Sequence, residues 1–146
     1  MKLTAVEEKD FIEKISLLDD IDKRGERDGR TLLIHSVFYN CRQIAEYFIK
    51  NGSTINLKDK QGFTALHAAV SSGNTELVEL LLSNGASVNE KDVYGNTPLH
   101  RTTPQNPRII KLLLAAGADC YDENNYGVST YQIFLAYPDI IDLFES

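Results

Sequence analysis

The sequence predicts an all-α chain, a solenoid of stacked helix-turn-helix units with hairpin loops projecting from one edge and a capping unit at each end. Three observations predict it. Glycines fall at Gly29, Gly62, Gly95 and Gly127, with spacings of 33, 33 and 32 residues. A second series, Gly52, Gly85 and Gly117, keeps the same register at 33 and 32. Each unit also carries an apolar helical run, densest at Leu77-Val78-Glu79-Leu80-Leu81-Leu82. A fixed period of this size marks an array whose units bury their apolar stripes only against copies of themselves.

The elements follow in order, and together they make residues 1–146 a single domain. Residues 1–26 form the first cap, with a helix predicted over about Thr4–Leu18 that sets Phe11, Ile12, Ile15 and Leu18 along one side. Full units are predicted at 27–59, 60–92 and 93–124. Thr64 and Thr97 stand where a first helix begins, since a threonine oxygen can accept from an orphan backbone N–H there. Pro98 then occupies the first helical position, where its missing N–H is no loss. Leu66 and Ala69 share one face, and the alanines let the short helix lie close to its neighbour. Leu77, Val78, Leu80, Leu81 and Leu82 leave little polar face, as suits a helix sandwiched between units. Asn84-Gly85 ends that helix through a left-handed glycine. Asp59 and Asp92 lead into tight turns at Gly62 and Gly95. Residues 125–146 form the last cap and close on Ile140, Ile141, Leu143 and Phe144.

These residues carry a family resemblance. Asp59-Lys60-Gln61-Gly62-Phe63-Thr64-Ala65-Leu66-His67-Ala68-Ala69 and Asp92-Val93-Tyr94-Gly95-Asn96-Thr97-Pro98-Leu99-His100 resemble the ankyrin repeat. So do the helix that follows each and its ending at Gly85-Ala86-Ser87-Val88-Asn89 and Gly117-Ala118-Asp119. The match fades through Thr31-Leu32-Leu33-Ile34 at one end and Ser129-Thr130-Tyr131-Gln132 at the other, as units facing water do. The resemblance covers residues 21–146 and implies a structural role for His67 and His100, hydrogen-bonding backbone between neighbouring repeats. His35 falls one place beyond the tetrapeptide and is expected to be partly exposed. Two departures from the pattern stand out. The third unit is a residue short, and Pro104 and Pro107 sit at its helix-turn-helix, so its first helix is predicted to end early. One extra residue near Gly25 lengthens the first loop.

Composition narrows the function. The net charge is -6, which speaks against nucleic acid and is compatible with a basic protein partner. After Lys111 no Lys or Arg occurs, while Asp119, Asp122, Glu123, Asp139, Asp142 and Glu145 do. No apolar run reaches the length of a membrane span, and the N-terminus turns acidic before a signal sequence could form. Cys41 and Cys120 have no near partner, so reduced thiols in a cytoplasmic protein are expected. No zinc-type His–Cys spacing, nucleophile motif or phosphate-cradling glycine loop is present. No catalytic residue, metal ligand or cofactor is therefore expected, and the chain is read as a non-enzyme that is monomeric when free.

The resemblance implies binding of a protein partner through loop tips and exposed faces of the first helices. The loop-tip positions are Arg27, Asp28 and Arg30, then Lys60, Gln61 and Phe63, then Val93, Tyr94 and Asn96, then Asn125, Tyr126 and Val128. The helix-face positions are Phe38 and Tyr39, Ser71 and Ser72, and Pro104 and Gln105. Phe38, Tyr39, Phe63, Tyr94 and Tyr126 stand where the repeat needs no core residue, and aromatics are enriched at interfaces. Tyr39, Phe63 and Tyr94 are the expected anchors. A dedicated inhibitor, such as an immunity protein that neutralises a basic toxin or enzyme, is the alternative to a general binding module.

Overall fold

The computed structural model describes residues 4–15, 17 and 19–145. The first cap is helix α1 (Ala5–Ile15). Thr4 starts it: the Glu7 amide donates to Thr4 Oγ1 at 3.3 Å and the Thr4 amide donates back to the Glu7 carboxylate at 2.8 Å. Of the predicted stripe, Ile12 is half-buried, while Leu18 and the side chains of Phe11 and Ile15 lie outside the described residues.

Helix pairs follow: α2 (Leu32–Phe38) with α3 (Arg42–Lys50), then α4 (Ala65–Ser71) with α5 (Thr75–Ser83). The third pair is a 3-10 turn (Pro98–Arg101) with α6 (Pro107–Ala115), and the last is α7 (Thr130–Phe134) with α8 (Pro138–Glu145). Helix α4 packs on α2 on one side and on the 3-10 turn on the other; α6 lies between α5 and α8, and α1 rests on α3. No strand occurs among the described residues, only isolated bridges joining Arg24 to Thr31 and Glu123 to Ser129.

The core runs through every pair as one apolar cluster, from Ile34 and Phe48 through Leu66, Leu81, Leu99 and Leu113 to Phe134 and Ile140. Ala65, Ala68 and Ala69 are buried, so the inner helices meet almost backbone to backbone. Helices α3, α5 and α6 each end on a left-handed glycine, Gly52, Gly85 and Gly117. The next amide reaches back five residues, Ser53 to Phe48 at 3.0 Å, Ala86 to Leu81 at 3.0 Å and Ala118 to Leu113 at 2.9 Å.

Both departures read from the sequence have a structural form. The first helix of the third unit shrinks to four residues, and Thr102 caps it by donating amide and hydroxyl to the Leu99 carbonyl. Pro107 then opens α6 at its first position. The loops of the last three units close with a bond across four residues, Asp59 to Phe63, Asp92 to Asn96 and Asn124 to Val128. The first closes across five, Gly25 to Arg30 at 2.8 Å, which accommodates the extra residue.

Candidate interaction surface

The loops are built from one side chain each. The Asp59 carboxylate accepts from the amides of Gln61 at 2.8 Å and Phe63 at 2.9 Å. Asp92 does the same for Tyr94 and Asn96, and the Asn124 carbonyl does it for Tyr126 and Val128. A short acceptor that captures the amides two and four residues ahead folds the chain into a turn locally. In the first loop Gly25 occupies that place, and Asp28 holds the Arg30 amide at 3.0 Å instead.

Neighbouring loops are then bonded together. Lys60 donates its amide to the Asp28 carbonyl, Val93 to Gln61 and Asn125 to Tyr94, each at 2.9–3.0 Å. Gly62 and Gly95 have positive φ, and a Cβ at Gly62 would stand 2.8 Å from Asp92 Cα. A Cβ at Gly95 would stand 2.7 Å from the Asn125 amide nitrogen. Only glycine permits the loops to approach this closely.

His67 and His100 add a second tie. The amide of Thr64 donates to His67 Nδ1 at 3.2 Å, which makes that nitrogen an acceptor and leaves the proton on Nε2. Nε2 donates to the Asn96 carbonyl of the next loop at 3.1 Å. His100 repeats the arrangement with the Thr97 amide and the Val128 carbonyl, at 3.2 and 3.1 Å. Burial pushes the His67 imidazole below its ordinary value, against the opposing pull of the Asn96 carbonyl and of Asp92. In the last unit Gln132 takes over the local half of this role, accepting from the Ser129 amide at 2.8 Å. Among the described residues no group of three or more His, Cys, Asp or Glu is placed to hold a metal ion.

The eighteen sequence-selected positions divide into two sets. Arg27, Phe38, Tyr39, Lys60, Gln61, Ser71, Ser72, Val93, Tyr94, Gln105, Asn125 and Tyr126 are exposed. Asp28, Arg30, Phe63, Asn96, Pro104 and Val128 are half-buried. For Asn96 and Val128 the reason is that their carbonyls receive the histidines. Phe63 departs from the expectation that the fold does not need it. Its ring stacks on His67 with centroids 5.3 Å apart, and the Arg101 guanidinium covers it at 4.8 Å. Phe63 is thus partly a structural residue, whereas Tyr94 and Tyr126 stand free of the core at 47% and 70% exposure. His35 is half-buried, as expected, with its ring stacked near Tyr39.

Two arginines sit on this face in similar company. Arg30 Nε donates to the buried Asp59 carboxylate at 3.2 Å, and its guanidinium lies 4.4 Å over the Phe38 ring. Arg101 donates to the buried Asp92 carboxylate while covering Phe63. Burial alone would raise the Asp92 carboxyl, but Arg101 and the amides of Asn96 and Tyr94 outweigh it and hold the group below the usual range. Sequence reading missed Arg101, which lies directly after His100 and would be read as a solvated helix residue. Its signal was the Asp92 carboxylate nine residues before it, legible only once the loop folds back. The exposed Ile133, Leu135 and Tyr137 of the last unit were missed as well, because the short α7 has no repeat letters to place them.

A shallow apolar groove lies beside these, between the Pro104–Pro107 turn and α8, with Tyr137, Ile140 and Leu143 in its walls and Lys111 at its edge. No described helix is long and apolar enough to cross a membrane.

Comparison with protein families matches the chain to ankyrin repeats (3 copies) over residues 3–92 and 51–124. No curated protein matches the chain.

Proposed function

The chain belongs to the ankyrin-repeat family, whose repeats generally serve as protein–protein interaction modules, and from that premise we propose that it holds a protein partner across its loop tips and inner helix faces. One observation carries the reading. Val93, Tyr94, Asn125 and Tyr126 are exposed on loops that the Asp92 and Asn124 turns, the glycine approaches and the histidine ties hold in place. Large side chains displayed on a rigid frame lose little freedom when a partner covers them. An ordinary interface takes about 800 Å² from each partner, and the chain exposes 8094 Å².

The same reading makes the chain a non-enzyme, since both motif histidines already spend their nitrogens on backbone groups. It is monomeric when free and cytoplasmic, in keeping with its buried thiols at Cys41 and Cys120. A second reading, an inhibitor docked on a basic enzyme, draws on the exposed acids Asp119, Glu123, Asp139, Asp142 and Glu145 at the C-terminal end.

The test is affinity capture from native cells with the immobilised chain, followed by titration of the purified partner. Tyr94→Ala with Tyr126→Ala should weaken binding by about tenfold or more and leave the melting temperature in place. A partner that binds the double variant as tightly as the parent removes the loop tips from the interface. If Asp139→Asn with Asp142→Asn abolishes binding instead, the inhibitor reading prevails.

A further inference from the structure

Charge is distributed unevenly over this molecule. Segments 27–39, 60–72, 93–105 and 125–137 supply the loop tips and first helices and make up more than a third of the chain. Of the 21 acidic residues they hold one, Asp28, where an even spread would put about seven. They hold four cations, Arg27, Arg30, Lys60 and Arg101, in a chain whose net charge is -6. The face offered to a partner therefore has the opposite sign to the molecule as a whole.

Glu26 is exposed beside Arg27, and the other carboxylates near this face are already engaged. Asp59 and Asp92 are buried at the loop bases and bound to Arg30 and Arg101. Asp28 accepts from the Arg30 amide and stands 3.8 Å from His35. Arg27 and Lys60 are exposed, and Lys60 Nζ is held in place by the Glu26 and Arg27 carbonyls at 2.7 and 3.2 Å. Arg30 uses its Nε on Asp59 and keeps its terminal N–H groups for an incoming acceptor. A guanidinium fixed between a buried carboxylate and an aromatic ring is well placed to take a second carboxylate.

The cations also cluster at one end of the row. Arg27, Arg30 and Lys60 belong to the first two loops, while Val93, Tyr94 and Tyr126 make the last two apolar. We infer that the partner lays a short extended segment along the loop row, with its carboxylates on Arg27, Arg30 and Lys60 and its apolar side chains on Val93, Tyr94 and Tyr126. This rests on the loop tips being the binding surface, as proposed above. Packed units step by about 10 Å, so the centre of the first two loops and the centre of the last two stand roughly 20 Å apart. An extended chain rises about 3.3 Å per residue. About six residues should thus separate the acidic and apolar halves of the segment.

The test pans a random twelve-residue peptide library, displayed on phage, against the intact chain. Enriched peptides should carry an Asp/Glu cluster at one end and aromatic or aliphatic residues at the other. Synthetic copies should bind Arg27→Glu with Lys60→Glu at least about tenfold more weakly, and should weaken as salt rises. If that double variant does not melt like the parent, Arg27→Glu alone is compared, with a smaller loss expected in the same direction. Enriched peptides that are neutral or basic, or acidic ones that bind the charge-reversed chain unchanged, overturn the inference, as does an oligonucleotide that binds more tightly than any of them. Peptides that lack acids yet lose affinity for Tyr94→Ala with Tyr126→Ala sink the charge assignment alone. Peptides indifferent to both double variants remove the loop face itself.

Discussion

His67 shows how much one side chain carries here. It caps its own helix through Nδ1 and holds the next loop through Nε2, so it must stay neutral to do both. The unfolded imidazole titrates near 6.5 and the folded one lower. Below that unfolded value the unfolded chain binds more protons, so stability is full above it and falls as pH drops toward the folded value. Melting temperature should therefore decline from pH 7.5 to 5.5. The decline should be smaller in His67→Gln, because glutamine does not titrate. Gln132 already demonstrates that glutamine can supply the local cap. His67→Gln should still cost about 1 kcal/mol at neutral pH, for the lost tie to Asn96. The glycines separate two effects in the same way. Gly62 and Gly85 both have positive φ, but a Cβ meets nothing within 4 Å at Gly85 and meets the Asp92 backbone at Gly62. Gly85→Ala should cost about 1–2 kcal/mol for conformation alone. Gly62→Ala should cost clearly more in urea titration, and equal losses would show that the loops do not lie this close.

At the scale of the element, the loop and its following helix behave as one device. Phe63 belongs to both, lying between His67 and Arg101. Phe63→Ala should lower stability by about 1–2 kcal/mol from lost stacking and cation–π contact, whereas Tyr126→Ala should leave the melting temperature unchanged. Thermal melts of the two variants side by side decide whether the rings differ in this way. The contrast also shows what sequence could and could not reveal. Gly62, Thr64 and His67 have fixed jobs in a repeat, so turn, helix start and histidine tie were all readable. The shortened first helix of the third unit was readable too, since proline acts on its nearest neighbours. The burial of Phe63 was not, because it depends on Arg101, a residue of the next unit that reaches back to Asp92. Contacts between units, at positions the repeat does not specify, leave no local trace in the letters.

Over the whole molecule, stability should be highest in the middle and lowest at the ends. Helix α4 is buried from Ala65 to Val70 between α2 and the 3-10 turn, while α8 buries only Ile140 fully. Native-state hydrogen exchange should protect the amides of α4 and α5 longest and those of α1 and α8 least. Uniform protection along the chain would mean that the units do not open separately. The same stacking explains why charge can segregate: acids are tolerated on the outer helices and ends, while the loop row faces one direction as a continuous strip.

The last loop differs from its predecessors in one respect. The carbonyls of Asp28, Gln61 and Tyr94, each just before a loop glycine, receive an amide from the next unit, and Tyr126 holds the corresponding place beside Gly127. Around Gly127 a Cβ would find only a distant Glu123 oxygen at 3.9 Å, where Gly95 is hemmed in by Asn125. For protein engineering this is a splice point. A grafted module stacked on the outer side of the terminal cap would meet a spare acceptor and open room, and would lengthen the gripping strip by one rung without disturbing those already made.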